Sequence, residues 1–212
     1  MRMSDPLRHI SFDLDGTLIN SFAIMQQAWE ASTEKLRINC GFAEYRRYVG
    51  LPFPRILELL GLSNFEMELN ELYFSHTRRL YDQIDQIDGA ADLLHWCRTQ
   101  GFGTSIITSK PRANSELIIA RMGFEVDALV CGDDLTRGKP DPMAARIVCE
   151  KAGTTPGEML YVGDMIFDFQ FALNAGMRFV MLAPDDAAPL PRNLLNQVER
   201  VDTLGAIRDM VG

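Results

Sequence analysis

Short apolar runs alternate with longer segments of helical periodicity along most of the chain. Five of the short runs predict strands, at His9–Leu14, Thr104–Thr108, Asp127–Cys131, Met159–Gly163 and Arg178–Leu182. Runs as apolar as Ser105-Ile106-Ile107 are typical of strands that are covered on both faces. Helices that end at a glycine are predicted from Pro111 to Met122, from Pro142 to about Gly153 and from Met165 to Ala175. This alternation predicts an α/β fold in which a parallel sheet has helices on both faces.

One long segment interrupts the alternation. No strand is predicted from about Asn20 to Gln86, and the sequence Ser63-Asn64-Phe65-Glu66 matches a capping box. Apolar residues recur there at helical spacing: Phe22, Met25, Trp29, Leu36, and then Leu69, Leu72, Tyr73, His76 and Leu80. The insert follows the first strand, so we expect it above the carboxyl edge of the sheet, where open α/β sheets bind ligands. We predict a core domain of residues 1–19 and 87–212 and a helical cap domain of residues 20–86.

Composition narrows the class of protein. The 212 residues are 47% hydrophobic and 24% charged, and a chain of this length needs neither a disulfide nor a metal to fold. A net charge of −8 argues against nucleic acid or an anionic membrane as the main partner. The four cysteines form no Cys-x-x-Cys pair, and we expect Cys131 to be a buried free thiol. Without a signal-peptide core or a membrane-length apolar run, the expected location is the cytoplasm.

The first predicted strand ends in two carboxylates. Asp13 and Asp15 point to the same side because side chains alternate along a strand, and Gly16 lets the chain turn sharply afterwards. An Asp-Gly pair is also common in ordinary turns. A calcium loop fits poorly, because Thr17 and Ile24 stand where that loop has an acid or amide and a glutamate. The segment is therefore a candidate for catalysis or metal binding.

Other strand ends add candidate groups. The second strand runs into Thr108-Ser109-Lys110-Pro111, which offers hydroxyls at a helix N-terminus, although Ser109 is equally compatible with ordinary N-capping. Lys139 lies between a glycine and a proline after the third strand, and a lone lysine is commonly solvated. Asp164 and Asp168 follow the fourth strand, where acids also complement a helix dipole.

Together these groups would meet at one edge of the sheet. Carboxylates from Asp13, Asp15 and Asp164 would repel one another, and a hard divalent cation such as Mg²⁺ would relieve that repulsion. A lysine and a hydroxyl opposite the cation suit the outer oxygens of a phosphoryl group.

The motifs, in this order, resemble those of the haloacid dehalogenase superfamily. They are Asp-x-Asp-Gly-Thr, Thr-Ser-Lys-Pro, Gly-Lys-Pro-Asp-Pro and Val-Gly-Asp-x-x-x-Asp, and they extend from the first strand to Gly176. The insert is similar to that of the subfamily with a helical cap, and the chain looks most like its phosphoglycolate phosphatase-like hydrolases. The resemblance implies a Rossmann-like α/β core with a four-helix-type cap. It also implies a Mg²⁺-dependent phosphatase that acts on a small phosphorylated metabolite.

The resemblance implies a role for each motif residue. Asp13 would be the nucleophile that forms an aspartyl-phosphate, and Asp15 the general acid and base. Thr108 and Lys139 would hold phosphate oxygens and take part in catalysis, and Lys139 would also neutralise Asp13. Further phosphate contacts would come from Leu14, Gly16 and Ser109. The metal ligands would be Asp13, the backbone carbonyl of Asp15, Asp164 and, as a ligand or a support for the others, Asp168.

Several positions depart from the family pattern. Asn20 and Met165 stand where an aspartate and a serine or threonine are usual, and Phe53 stands where the sugar-phosphate mutases of the group have an arginine in the cap turn Gly50–Phe53. The last departure disfavours a mutase. A pyrophosphatase, a phosphonate hydrolase and a phospho-acceptor or binding protein without turnover stay open as alternatives. Candidate contacts from the cap, each equally compatible with an exposed helix position, are Arg46, Arg47 and Arg55.

Overall fold

The computed structural model describes residues 6–184 and 198–211. Its strands are β1 (His9–Phe12), β2 (Ile19–Asn20), β3 (Asp85–Gln86), β4 (Gly103–Ile107), β5 (Ala128–Val130), β6 (Met159–Gly163), β7 (Arg178–Leu182) and β8 (Glu199–Val201). Six of them form one sheet in the order β5-β4-β1-β6-β7-β8, and every pair in it is parallel. The predicted α/β fold is confirmed.

In the described ranges, four helices lie between β2 and β3, and each of the others follows a later strand. The helices are α1 (Phe22–Leu36), α2 (Phe42–Arg46), α3 (Phe53–Leu59), α4 (Glu66–Arg79), α5 (Ala90–Thr99), α6 (Arg112–Met122), α7 (Met143–Ala152), α8 (Ile166–Ala175) and α9 (Ala206–Val211). Three predicted helices end at Gly123, Gly153 and Gly176, whose left-handed backbone stops the helix as expected. In the described ranges, no helix combines the length and the apolar character needed to cross a bilayer.

Some local predictions were wrong. Ser63 does not cap a helix, because a 3₁₀ turn occupies Ser63–Phe65 and Phe65 is the N-cap residue of α4. Ser109 does not cap α6, whose N-cap residue is Pro111. Helix α5 was not predicted, although its Leu93, Leu94 and Cys97 are buried at helical spacing. The short, half-polar strand β8 was not predicted either.

The sheet is buried on both faces. Phe12 of β1 and Val162 of β6 pack in one apolar cluster with α5 and α6, whereas Tyr161 of β6 packs in a second cluster with α7 and α8. All five residues of β6 are buried. Cys131, at the end of β5, is a buried free thiol as predicted, and its burial raises its pKa to about 11.

The insert has its own apolar cluster. Helices α1 to α4 pack around Trp29, whose ring stacks on Tyr45 at 4.3 Å between centroids and meets Tyr73 edge-on at 6.3 Å. Met165, from the start of α8, also packs in this cluster. Strands β2 and β3 pair antiparallel, so the chain enters and leaves the insert side by side. The division into two domains at residues 19/20 and 86/87 stays a prediction.

Candidate active site

The carboxyl edge of the sheet gathers the predicted groups. Asp13 follows the central strand β1, Thr108 follows β4, and Asp164 follows β6. Because β4, β1 and β6 are neighbours in the sheet, the loops that follow their carboxyl ends lie side by side and bring these side chains together. Lys139 reaches the same point from the loop between β5 and α7, and all four residues stand at one site.

Lys139 bridges two aspartates. Its Nζ lies 2.5 Å from Asp13 Oδ1 and 2.8 Å from Asp168 Oδ1, and the side chains are almost fully buried. Burial alone would lower the pKa of Lys139, but the charges of Asp13 and Asp168 raise it above its ordinary value. The Tyr161 hydroxyl also donates to Asp168 Oδ1, at 3.3 Å. Lys139 is therefore a fixed ammonium beside Asp13.

Three carboxylates crowd together beside this ammonium. Oxygen atoms of Asp13, Asp164 and Asp168 lie within 4.8 Å of one another. Burial raises the pKa of Asp13 to about 7; Lys139 opposes this increase and Asp168 adds to it. Burial, followed by the charges of Asp168 and Asp13, raises the pKa of Asp164 well above its ordinary value. One ammonium does not offset three carboxylates, and the all-oxygen donor set fits a hard cation such as Mg²⁺.

Asp15 lies outside this cluster. Ser21 Oγ donates to Asp15 Oδ1 at 2.5 Å, and Lys110 Nζ lies 3.1 Å from Asp15 Oδ2. Our expectation that Asp13, Asp15 and Asp164 crowd one point needs this correction: Asp168 takes the place of the Asp15 side chain. A metal contact through the Asp15 backbone carbonyl stays a prediction.

Two residues of the site were missed as functional groups. Lys110 and Ser21 are 8% and 0% exposed, and both hold the Asp15 carboxylate. Lys110 lies inside a quoted motif, but a lysine is almost never buried without a partner, and the sequence does not reveal which carboxylate pairs with it. Ser21 directly follows the first-strand loop, and this position was the only available signal for it.

Unpaired donors lie beside Asp13. Thr108 is buried, and its Oγ1 accepts a hydrogen bond from the backbone N–H of Lys110 at 3.2 Å. In ranges 6–184 and 198–211, the backbone N–H groups of Leu14 and Ser109 have no hydrogen-bond acceptor. These are the amides predicted to bind phosphate oxygens, and their geometry leaves them available for that role.

Two glycines allow the acids to approach the chain closely. A Cβ on Gly16, which has φ of +85°, would lie 2.3 Å from Asp164 Oδ2, and a Cβ on Gly163 would lie 2.4 Å from the Cβ of Asp168. Thr17 Oγ1 donates to Asp164 Oδ1 at 3.2 Å. Gly16 therefore makes room for the acidic cluster, and its predicted phosphate contact is a separate expectation.

The loop after β5 holds the loop after β4. Gly132 donates its N–H to the Lys110 carbonyl at 3.0 Å, and a Cβ on Gly132 would lie 2.3 Å from the Ser109 carbonyl oxygen. The Arg112 N–H donates to Asp133 Oδ1 at 2.7 Å, and its guanidinium pairs with Asp134. The Gly-Asp-Asp sequence thus fixes the segment that carries Thr108 and Lys110.

The cap turn Gly50–Phe53 faces the core loops. Ser109 Oγ donates to the Gly50 carbonyl at 2.6 Å, and a Cβ on Gly138 would lie 2.6 Å from Pro52. Between turn and core lies a cavity, partly open to solvent, that is bordered by Asp13, Asp15, Thr108, Ser109 and Lys110 on the core side. The candidate arginines of the cap do not border it: Arg46 stands over the Phe22 ring, Arg55 pairs with Glu58, and Arg47 is exposed.

The remaining departures from the family pattern also have a structural place. Met165 is the N-cap residue of α8 without a capping side chain, and its N–H donates to Asp168 Oδ2 at 3.0 Å instead. Asp168 therefore supports both Lys139 and the helix start. Asn20 is exposed in the short strand β2.

Comparison with known proteins shows the family of this chain. The family model for haloacid dehalogenase-like hydrolases matches residues 10–182. N-acetylmuramic acid 6-phosphate phosphatase of Pseudomonas aeruginosa is 28% identical over 198 residues, which cover 85% of each chain. Phosphoglycolate phosphatase of Pseudomonas putida is 31% identical over 187 residues, which cover 82% of this chain and 69% of that protein.

A solved structure shares the fold. The crystal structure of a hydrolase from Pseudomonas syringae has a TM-score of 0.85 and 24% identity, and covers 97% of this chain and 100% of its own. The family match spans most of the chain and includes every motif described above. The chain belongs to the family of haloacid dehalogenase-like hydrolases.

Proposed function

We propose that the protein is a Mg²⁺-dependent phosphatase that hydrolyses a small phosphomonoester through an aspartyl-phosphate on Asp13. The observation that supports this most is the position of Asp13. Its carboxylate is fixed between the Lys139 ammonium and an oxygen-rich acidic cluster, next to the unpaired amides of Leu14 and Ser109. Phosphoryl transfer depends mostly on such positioning and charge neutralisation.

The acidic cluster would hold the metal. Asp13, Asp164 and Asp168 offer the carboxylate oxygens, and the Asp15 backbone carbonyl is a further candidate. When bound, Mg²⁺ would neutralise charge on the phosphoryl oxygens and keep Asp13 ionised near neutral pH. Lys139, which contacts Asp13 and Asp168, would hold phosphoryl oxygens together with the Thr108 hydroxyl.

The first half-reaction would transfer the phosphoryl group to the protein. A carboxylate oxygen of Asp13 attacks phosphorus, and the bond from phosphorus to the leaving oxygen breaks. Protonated Asp15 gives its proton to that oxygen, so the alcohol leaves neutral. Ser21 and Lys110 contact the two oxygens of Asp15 and would keep its side chain in place for this transfer.

The second half-reaction would restore the protein. Asp15, now a carboxylate, takes a proton from water, and the resulting hydroxide attacks phosphorus. The bond from Asp13 to phosphorus breaks and releases inorganic phosphate, which leaves Asp13 ionised and Asp15 protonated for the next turnover. The cap turn covers the site from the solvent side and would limit access of bulk water.

Hydrolysis of an activated aryl phosphate tests this proposal. The purified protein should release the phenolate when Mg²⁺ is present, and neither the EDTA-treated protein nor the Asp13→Asn variant should do so. Asp92→Asn, an exposed change on α5, is the matched control and should keep full activity. A folded wild-type protein with Mg²⁺ that releases no phenolate would refute the proposal and favour a phospho-acceptor or binding role.

A further inference from the structure

The cavity beside Asp15 has mostly apolar and aromatic walls on the cap side. These walls include Tyr45, Phe53, Ile56, Tyr73, Phe74 and, from the core, Met165. The Phe53 and Tyr73 rings stack at 5.2 Å between centroids, and Phe53 also contacts Phe74 at 5.1 Å. The leaving group of a phosphomonoester bound at Asp13 would point into this space, because Asp15 protonates it from there.

The cavity has little positive charge to offer. Among the described residues that border it, Lys110 is the only cationic side chain, and its ammonium already pairs with Asp15 at 3.1 Å. A carboxylate on the leaving group would enter a space that already holds the carboxylates of Asp13 and Asp15. Burying an ion without a partner is costly, so this wall selects against a charged leaving group.

One polar group in the cap wall lacks a partner. The Tyr73 side chain is 3% exposed, and its hydroxyl has no hydrogen bond among the described residues. The neighbouring Tyr45 hydroxyl and the Asp15 carboxylate are close enough to affect it without making a bond of normal geometry. Burial raises the pKa of Tyr73 well above its ordinary value, so the group is a neutral hydroxyl that can both donate and accept.

We propose that this enzyme prefers phosphomonoesters of compact, uncharged alcohols that carry a second hydroxyl, and that Tyr73 determines this specificity by hydrogen bonding to it. The inference rests on the proposed phosphatase function. A buried polar group without a partner costs free energy, and a substrate hydroxyl that pairs with it recovers that cost in the complex. A site with such a group discriminates strongly against analogues that lack the matching hydroxyl.

Three substrates of nearly equal size provide the test. They are 2-hydroxyethyl phosphate, ethyl phosphate and phosphoglycolate, whose leaving groups carry a hydroxyl, no polar group and a carboxylate, respectively. We expect kcat/KM to be about tenfold higher for hydroxyethyl than for ethyl phosphate, the usual effect of one hydrogen bond. For phosphoglycolate it should be lower than for hydroxyethyl phosphate by about a hundredfold, from the cost of an unpaired buried charge.

The Tyr73→Phe variant assigns the effect to one hydroxyl. It should lower kcat/KM about tenfold for hydroxyethyl phosphate and leave ethyl phosphate unchanged, which a merely structural role would not do. Tyr81→Phe is the matched control, because Tyr81 also has a buried hydroxyl without a partner among the described residues but does not border the cavity. This control variant should leave kcat/KM unchanged for both hydroxyethyl and ethyl phosphate.

The outcomes separate this inference from the proposed function. An active aryl phosphatase that hydrolyses phosphoglycolate as well as hydroxyethyl phosphate, or that accepts none of the three, would overturn the inference alone. Equal effects of Tyr73→Phe on kcat/KM for hydroxyethyl and ethyl phosphate would show that Tyr73 does not determine the preference. Absence of aryl phosphatase activity in the folded protein with Mg²⁺ would refute the phosphatase function itself.

Discussion

At the scale of the residue, the carboxylates of the acidic cluster that would bind a cation also destabilise the fold of the metal-free protein. Asp13, Asp164 and Asp168 are held within 4.8 Å of one another, and the pKa values of Asp13 and Asp164 are raised by burial and mutual repulsion. A raised pKa means that the ionised carboxylates oppose folding when no cation is present. The contribution of these groups to stability is therefore greatest below their unfolded-state pKa, near 3.8, and is lost as the pH rises through the folded-state value, about 7 for Asp13.

Asp164→Asn should separate the destabilising effect of the crowded charges from the stabilising effect of bound Mg²⁺. In EDTA at pH 8 we expect the free energy of unfolding of the variant to be about 1–3 kcal/mol higher than that of the wild type, because one of three crowded carboxylates is gone and the bond from Thr17 can persist. Wild-type protein should gain stability with Mg²⁺, about 2.7 kcal/mol at one hundred times its Kd, whereas the variant should gain little. Urea unfolding with and without Mg²⁺ measures both, and a metal-free variant less stable than wild type would contradict the account.

At the scale of the element, the loops after β4 and β5 act as one unit. Gly132 packs against the Ser109 carbonyl, and its N–H holds the Lys110 carbonyl, so the second loop determines where Thr108 and Lys110 stand. The position of Thr108 and Lys110 at this edge therefore depends on a backbone contact and not only on side chains.

Gly132→Ala should shift this unit. Its Cβ would lie 2.3 Å from a backbone oxygen, so the loop must move, and we expect kcat/KM to fall by about a hundredfold, as small displacements of catalytic groups do. Gly205→Ala is the matched control, because its nearest neighbour is a side-chain oxygen at 3.9 Å. Kinetics with an aryl phosphate, together with circular dichroism, provide the readout. Full activity in Gly132→Ala would show that the loop contact does not position the site.

The elements also show what a sequence can and cannot reveal. Strong apolar runs and terminal glycines predicted five strands and three helices, with ends within about two residues of those observed, because local propensity and burial agree there. Strand β8 was missed because three half-polar residues have no readable period. Ser63 matched a capping box, yet a 3₁₀ turn occupies Ser63–Phe65 and the helix begins at Glu66.

The members of the site were predictable, and so was the pairing of Lys139 with Asp13 that the resemblance implied, whereas the other pairings were not. The four motifs pointed to Asp13, Thr108, Lys139 and Asp164, all of which stand at one edge of the sheet. The partner of each charge depends on side-chain directions that only the folded chain fixes. In the structure, Asp15 contacts Lys110 and Ser21, and Asp168 lies beside Asp13 where the Asp15 side chain was expected.

At the scale of the whole molecule, the two ends of the sheet respond to pH differently. At the amino end, opposite the site, His9 is buried and its Nε2 lies 3.0 Å from Ser105 Oγ. Burial lowers the pKa of His9, although Asp127 opposes this shift. Because the unfolded chain then binds more protons at this position, the contribution of His9 to stability should fall as the pH drops below about 6.5, opposite in sign to that of the acidic cluster.

His9→Gln should reduce this acid sensitivity. We expect the free energy of unfolding of the variant, relative to that of the wild type, to increase from pH 7 to pH 5, whatever the offset between them, because the acidic cluster affects both proteins equally. His95→Gln, an exposed change on α5, should keep the wild-type slope. Urea unfolding in EDTA at several pH values compares the slopes, and equal slopes for wild type and His9→Gln would rule out His9 as the source.

The net charge of −8 is distributed unevenly between the insert and the remainder of the chain. The insert holds 7 basic and 9 acidic residues, so most of the excess negative charge belongs to the remainder of the chain. There, Asp13, Asp164 and Asp168 form the candidate cation site, and Asp15 pairs with Lys110. Part of the acidity thus belongs to the chemistry of the site.

Detection of the phosphorylated protein tests the central claim most directly. Asp15→Asn, mixed with Mg²⁺ and an aryl phosphate whose phenolate needs no proton, should release about one phenolate per protein and then stall, because no base activates water. Mass spectrometry after acid quench should place one phosphoryl group on Asp13, labile to hydroxylamine. Rapid full turnover by this variant, or a phosphoryl group on another residue, would contradict the account.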